Sequence, residues 1–194
     1  KIPVASIGTL GIKINKKIVK TNLTTLDIIS LHRVLTKVKM SGIDNVILEA
    51  SSHGLEQGRL CGINFKTAIF TNFSQDHLDY HKNMANYLRA KLILFSKLLK
   101  KKQSIITDNE IPEFLKLKKV AKKNNLKLLT IGRKDSTIQF KSIKPNNNFQ
   151  NIVFRNNKKN YSLKIPLIGL FQIKNLFMSI LAAKLSGLDS KKTL

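Results

Sequence analysis

Acidic and imidazole side chains crowd into one stretch of this chain. His53, His77 and His81, three of its 4 histidines, fall between residues 49 and 81, as do Glu49, Glu56, Asp76 and Asp79 from only 11 acids. A carboxylate and an imidazole brought together can ligate a divalent cation. Glu49 sits near the end of the apolar run from Asn45 to Ala50, which reads as a compact buried strand. Thr71-Asn72 ends the next strand, just ahead of Ser74-Gln75-Asp76-His77. Ligands of a doubly wound sheet bind beyond the carboxyl ends of its strands, so adjacent parallel strands would bring these groups together. A plainer reading stays open, with Asp76 capping the following turn and His77 filling a polar pocket. Lys91 is a further candidate. It lies three residues after Leu88 and four before Phe95, at the border of a helix's inward face, where its stem could also simply cover the core edge.

The elements that must position these groups follow a strand–helix alternation. Val4 to Ile7 reads as a strand, and Ile14 to Lys20 as a short strand or hairpin arm. Ile28, Leu31, Leu35 and Val38 recur at helical spacing, with Thr24 or Thr25 as N-cap, Asp27 in the first turn and Ser41-Gly42 at the end. Thr67 to Thr71 is the next strand, and Met84 to Leu99 a helix with Leu88, Leu92, Phe95 and Leu99 inward. Then come a strand at Ser104 to Thr107, a helix from Pro112 to about Asn124, and a strand at Leu126 to Ile131. This order predicts an α/β fold with a mainly parallel, doubly wound sheet and flanking helices. Thr137 to Ile143, Ile152 to Arg155 and Tyr161 to Ile165 read as a small antiparallel extension, with Pro145 to Asn148 as a turn. Ile173, Phe177, Ile180 and Leu181 form the inner face of a last helix ended by Gly187.

Composition narrows the function classes. At 194 residues, 42% hydrophobic and 24% charged, the chain can bury a core without disulfides. Its charge of +24 raises nucleic acid or an anionic membrane first. Yet only Arg33, Arg59, Arg89, Arg133 and Arg155 are arginines, the rest of the 35 basic residues being lysine. Base-edge recognition favours the forked guanidinium, and a chain with no Trp and 3 Tyr offers little for base stacking. Diffuse lysine beside many Asn and Ile reads as solvated surface chosen by A- and T-rich codons. The single Cys61 fits a reducing, cytoplasmic compartment. No apolar run approaches the roughly 20 residues that span a bilayer, so no membrane insertion is expected. The opening Lys1-Ile-Pro-Val has neither an initiator Met nor a secretory h-region, as if cut at its N-terminus.

Two long ordered motifs are specific. Glu49-Ala-Ser-Ser-His-Gly-Leu-Glu-Gln-Gly-Arg59 is followed by Phe70-Thr-Asn-Phe-Ser-Gln-Asp-His-Leu-Asp-Tyr-His81 and Tyr87-Leu-Arg-Ala-Lys91. Together they resemble the central domain of the Mur ligases, in the branch that adds the third residue of the peptidoglycan stem peptide. Ile7-Gly-Thr-Leu-Gly11, Leu23-Thr-Thr25 and Gly169-Leu-Phe-Gln-Ile-Lys-Asn175 are similar to that family too, so the resemblance runs from about residue 4 to 190.

The resemblance implies a P-loop-type sheet and an ATP-dependent reaction. ATP would phosphorylate the D-Glu side-chain carboxylate of UDP-MurNAc-L-Ala-D-Glu, and the amine of meso-diaminopimelate or L-lysine would attack the acyl phosphate. By resemblance, Glu49 and His77 are Mg²⁺ ligands, and Lys91 is a carbamylated lysine that supports the cation. Thr24, Thr25, Ser51, Gln57 and Arg59 match contacts to the UDP-MurNAc peptide, and Asn175 matches an Asn that contacts the nucleotide base. Each also has a structural reading: a helix cap for Thr24 or Thr25, a turn for Ser51, a surface amide for Gln57, a surface salt bridge for Arg59, and a capping partner in the first helical turn for Asn175.

Some positions depart from the family's pattern. Leu23 stands where Asn is usual, Gln75 replaces Arg and Gln172 replaces Asn. The phosphate-cradling GxxGKT loop would fall just before Ile2. The whole of 1–194 is thus expected to be a truncated central ATP-binding domain, monomeric and inactive alone, without the UDP-binding and amino-acid-selecting domains. A folylpolyglutamate synthase-like ligase and a basic nucleic-acid-binding module are the alternatives, with no specific nucleic-acid partner expected on the main reading.

Overall fold

The computed structural model describes residues 2–187. The chain divides into two compact units. The first takes the chain up to Asn64 together with Gln75–Leu98. The second takes Phe65–Ser74 and the chain from Leu99 onward.

The first unit is built on a 4-stranded sheet. β1 (Val4–Gly8) forms a hairpin with β2 (Gly11–Ile14), β2 pairs with β3 (Lys17–Val19), and β4 (Asn45–Leu48) lies parallel to β1 on its other side. α1 (Ile28–Met40) supplies the crossover between β1 and β4, burying Leu31 and Val38, with Val38 packed on Ala5 and Ile43. Its N-cap is Asp27, whose carboxylate accepts the Ser30 N–H at 2.9 Å. This corrects the expected Thr24 or Thr25 cap, because Thr25 is drawn into the site described below.

β4 also departs from the buried strand expected of it. Paired on one side only, it leaves Ile47 66% exposed. α2 (Ser52–Glu56), α3 (Leu78–His81) and α4 (Met84–Ile93) complete the unit, and α4 runs on as a π-helical turn over Leu94–Leu98. Ser51 and Asn83 cap α2 and α4 by accepting the N–H groups of Gly54 and Asn86.

The second unit carries a 6-stranded sheet. β5 (Thr67–Phe70), β6 (Ser104–Asp108), β7 (Lys127–Gly132) and β8 (Ile138–Asn146) are parallel, β8 meeting β7 over two residue pairs. β9 (Phe149–Asn156) and β10 (Lys159–Ile165) add the expected antiparallel extension. Pro145 lies in β8 rather than in the turn, which is confined to Asn147 and Asn148. α5 (Phe114–Lys123) connects β6 to β7, burying Leu117 and Ala121. α6 (Leu170–Leu185) lays Ile173, Phe177, Met178 and Leu181 onto Ile106, Ile131, Ile138 and Phe154. Phe177 meets Phe140 and Phe154 edge-on, at 5.0 and 4.8 Å between ring centres. β4 and β5, expected as sheet neighbours, belong to different sheets.

Candidate active site

The carboxyl end of β4 organises the first unit's polar groups. Glu49 extends the ladder, its N–H donating to Ile7 O at 2.9 Å. Its Oε2 accepts both the Thr9 N–H, at 2.8 Å, and the Thr9 hydroxyl, at 2.9 Å. Thr9 Oγ1 in turn lies 3.1 Å from Thr24 Oγ1. Thr25 is buried, and its hydroxyl donates to Glu49 O at 2.8 Å while accepting the Ser51 N–H at 2.9 Å. One β-branched hydroxyl therefore joins the start of α1 to the β4–α2 turn. A Cβ on Gly54 would stand 2.7 Å from Thr25 Cβ, so glycine is what lets α2 approach so closely.

Arg59 closes the network. Its Nη1 donates to Thr25 O at 2.8 Å, and its Nε and Nη2 donate to Gln57 Oε1 at 2.9 and 2.5 Å. Gln57 Nε2 reaches Tyr80 Oη at 3.3 Å. Guanidinium has five N–H donors, so these three bonds leave capacity for an anion. The structure thus brings Thr24, Thr25, Ser51, Gln57 and Arg59 together around Glu49. Ser51 also serves as the cap of α2, and Arg59 pairs with an amide rather than in a salt bridge.

A second cluster is aromatic. His81 is buried, with Nε2 2.8 Å from Ser52 Oγ and Nδ1 3.3 Å from Glu56 Oε2. Burial holds its imidazole below the ordinary histidine value, with His53 and His77 adding to this and Glu56 opposing. Tyr87 stacks on His81 at 5.1 Å, meets the His77 ring edge-on at 5.9 Å, and lies 5.0 Å below Lys91 Nζ. His77 sits at the N-cap of α3 with φ +55° and with Nε2 3.4 Å from Asp76 Oδ2, so Asp76 pairs with His77 besides accepting its N–H at 2.8 Å. Burial lowers the Lys91 pKa against the opposing charges of Asp76 and Glu49.

Among the described residues, no three of the His, Cys, Asp and Glu side chains are grouped closely enough to hold a metal ion. Glu49 and His77 are the ligands the family resemblance implies, and a hard cation that keeps several waters needs only one or two protein groups. Glu49 offers the oxygen donor such an ion prefers, and Lys91 would offer one only as a carbamate. Gly8, Thr9 and Tyr87 were not singled out as site residues. The Gly8-Thr9 pair at the carboxyl end of β1 was the available signal for the first two.

Asn175 belongs to the second unit, exposed on α6. The helix begins at Leu170, which puts Asn175 in the second turn and removes it as a capping residue. Its neighbour Lys174 donates to Asp108 Oδ2 at 2.5 Å and Glu110 Oε2 at 3.2 Å, holding α6 to the carboxyl end of β6.

The chain matches the model of the Mur ligase middle domain over residues 2–183. A UDP-N-acetylmuramoyl-L-alanyl-D-glutamate–2,6-diaminopimelate ligase of Rickettsia montanensis is 39% identical over 187 residues, covering 94% of this chain and 39% of the relative. The chain therefore spans about two-fifths of that relative's length. A solved structure of a ligase with the same name superposes with a TM-score of 0.86 at 30% identity, covering 97% of this chain and 38% of that one. An FPGS–AMPPCP complex, with a TM-score of 0.60 at 13% identity over 95% of this chain and 52% of the other, shares the fold. On the family match and the β1–β4 site together, this chain belongs to the Mur ligase middle-domain family.

Proposed function

We propose that this chain is the central part of an ATP-dependent ligase that adds meso-diaminopimelate to UDP-MurNAc-L-Ala-D-Glu in peptidoglycan synthesis. ATP phosphorylates the D-Glu side-chain carboxylate, and the amine of the diamino acid then displaces phosphate to form the amide. The observation that carries this reading is the network that ties Thr24, Thr25, Ser51, Gln57 and Arg59 to Glu49, with the charges of Asp76 and Glu49 acting on Lys91. Hydroxyls and a guanidinium with spare donors suit an anionic, hydroxyl-rich ligand. The Rickettsia relative's substrate favours meso-diaminopimelate over L-lysine.

Magnesium is the cation this reading requires, with Glu49, His77 and carbamylated Lys91 as the residues that would hold it. Bound there, it supplies charge neutralisation on the phosphates. Asn175 would contact the nucleotide base, and the fold shared with an AMPPCP complex supports ATP as that nucleotide. On this reading, residues 1–194 are a monomeric cytoplasmic domain that does not ligate alone.

The test is a chimera in which this chain replaces the 187 aligned residues of the Rickettsia relative. ADP release should require both UDP-MurNAc-L-Ala-D-Glu and meso-diaminopimelate and should yield tripeptide. A folded chimera that binds the sugar peptide but forms no tripeptide, or that extends folate with glutamate, would overturn the reading.

A further inference from the structure

The lysines of the second unit are not spread evenly over it. β5, β6 and β7 run parallel with Thr67, Ser104 and Lys127 in register, so the segments that enter these strands share one edge of the sheet. The backbone ties them together there. Ser104 N donates to Lys66 O at 3.3 Å, Lys102 N to Asn125 O at 2.8 Å, and Lys127 N to Gln103 O at 2.9 Å. Strands lie about 4.8 Å apart, so exposed Lys66, Lys100, Lys101, Lys102 and Lys127 converge on a narrow strip.

α5 adds to the same charge. It returns antiparallel to the strands, bringing Lys122 and Lys123 of its last turn to that edge, while Lys116, Lys118 and Lys119 continue along its solvent face. Leu117 and Ala121 point inward, and Leu115 stands among the lysines 66% exposed. The described acids of this unit lie at the other end. Asp108 ends β6, Glu110 and Glu113 follow it, and Asp135 follows β7.

Like charges this close repel within a Debye length of about 8–10 Å, and nothing acidic on the strip offsets them among the described residues. We propose that this lysine-lined edge, with the outer face of α5, docks the protein on an anionic phospholipid surface without inserting. Lysine is a point charge that reads charge density more than shape, and with Leu117 and Ala121 already packed inward, α5 offers the bilayer its lysine face. A nucleic-acid surface would call for arginine and exposed aromatic rings. The strip has no arginine, and the exposed aromatics Tyr80, Phe149 and Phe171 lie on other segments. The proposal does not rest on the ligase reading.

Vesicle co-sedimentation of the chain tests it, using phosphatidylcholine alone and phosphatidylcholine with an equal part of phosphatidylglycerol. Two variants of equal net charge are compared: K101Q/K102Q/K122Q/K123Q on the strip, and K141Q/K144Q/K158Q/K159Q on β8–β10. At roughly a factor of five per lysine, the strip variant should bind anionic vesicles about a hundredfold or more weakly, and the β8–β10 variant near the wild-type level. Both variants should keep the wild-type melting temperature, and K101Q/K102Q alone serves if the fourfold variant melts early. Equal losses in the two variants would reduce the effect to generic charge and overturn the proposal. So would binding to neutral vesicles, or displacement of bound chain by duplex or single-stranded DNA at charge concentrations far below that of the lipid.

Discussion

Glu49 Oε2 lies 2.6 Å from the point where a Cβ on Gly8 would stand, and Glu49 Cβ lies 2.9 Å from it. The last residue of β1 is therefore a glycine because the carboxylate at the end of β4 occupies the space of its side chain. Gly8→Ala should push Glu49 off the Thr9 N–H and hydroxyl. Overpacking of this kind costs about 1–3 kcal/mol, which urea unfolding would read. In an active chimera the same change should raise the magnesium concentration needed for half-maximal ligation. An alanine variant with unchanged stability and magnesium dependence would mean that Glu49 has no fixed position.

Thr25 makes a separable claim. Its buried hydroxyl serves the Glu49 carbonyl and the Ser51 N–H at once, and Val has its shape without the oxygen. Thr25→Val should leave both backbone groups unsatisfied, and each buried orphan costs about 1–3 kcal/mol. Thr25→Ser should recover most of the loss. If the two variants unfold at the same urea concentration, the hydroxyl contributes nothing and packing alone matters.

The same residue shows what local sequence carries and what it does not. Thr24 or Thr25 is the N-cap expected before the apolar periodicity of α1, with Asp27 in the first turn, although all three are good capping types. The choice of Asp27 was made 24 and 26 residues away, where Glu49 O and Ser51 N claim the Thr25 hydroxyl. The longer strands and helices were legible because the 2- and 3.6-residue periods are local. The short α2 and α3 were not expected, and a turn at Asn15-Lys16 breaks the strand expected from Ile14 to Lys20. Pairing was not legible, and so β4 and β5 were expected side by side although they sit in different sheets. Glu49, His77 and Lys91 stood out by type and motif. Gly8 and Tyr87 did not, because a missing side chain and a ring beneath an amine gain meaning only from what packs against them.

Lys174 offers a pH-dependent test in the second unit. Burial disfavours its charge, but the hydrogen bonds and charges of Asp108 and Glu110 outweigh that and raise its pKa above the ordinary lysine value. A raised folded value means the contribution is fully present below the unfolded lysine pKa of about 10.4 and is lost as pH climbs through the folded one. Lys174→Met should abolish that alkaline decline. It should also cost roughly 3 kcal/mol at neutral pH, because Asp108, with 2% of its side chain exposed, is left as an unpaired charge. Lys174→Met/Asp108→Leu should regain much of this loss. Melting temperatures of the three proteins between pH 7 and 11 decide it.

Lys91 joins local electrostatics to the proposed chemistry. Burial lowers its pKa even though Asp76 and Glu49 pull the other way, so more of the amine is neutral at a given pH than for a lysine in water. Only a neutral amine adds carbon dioxide, and the carbamate that forms has oxygen donors suited to a hard cation. The Tyr87 ring, 5.0 Å from Nζ, opposes the change by favouring the ammonium form. Incubation of the chain with ¹³C-bicarbonate should therefore give a carbamate resonance that grows with pH and is absent from Lys91→Ala. Tyr87→Leu should strengthen it at fixed pH. In an active chimera Lys91→Ala should lower tripeptide formation by at least about a hundredfold, the scale of a lost electrostatic contact to the transferring phosphoryl group. Wild-type ligation by a folded Lys91→Ala chimera, with no dependence on bicarbonate, would remove Lys91 from the site.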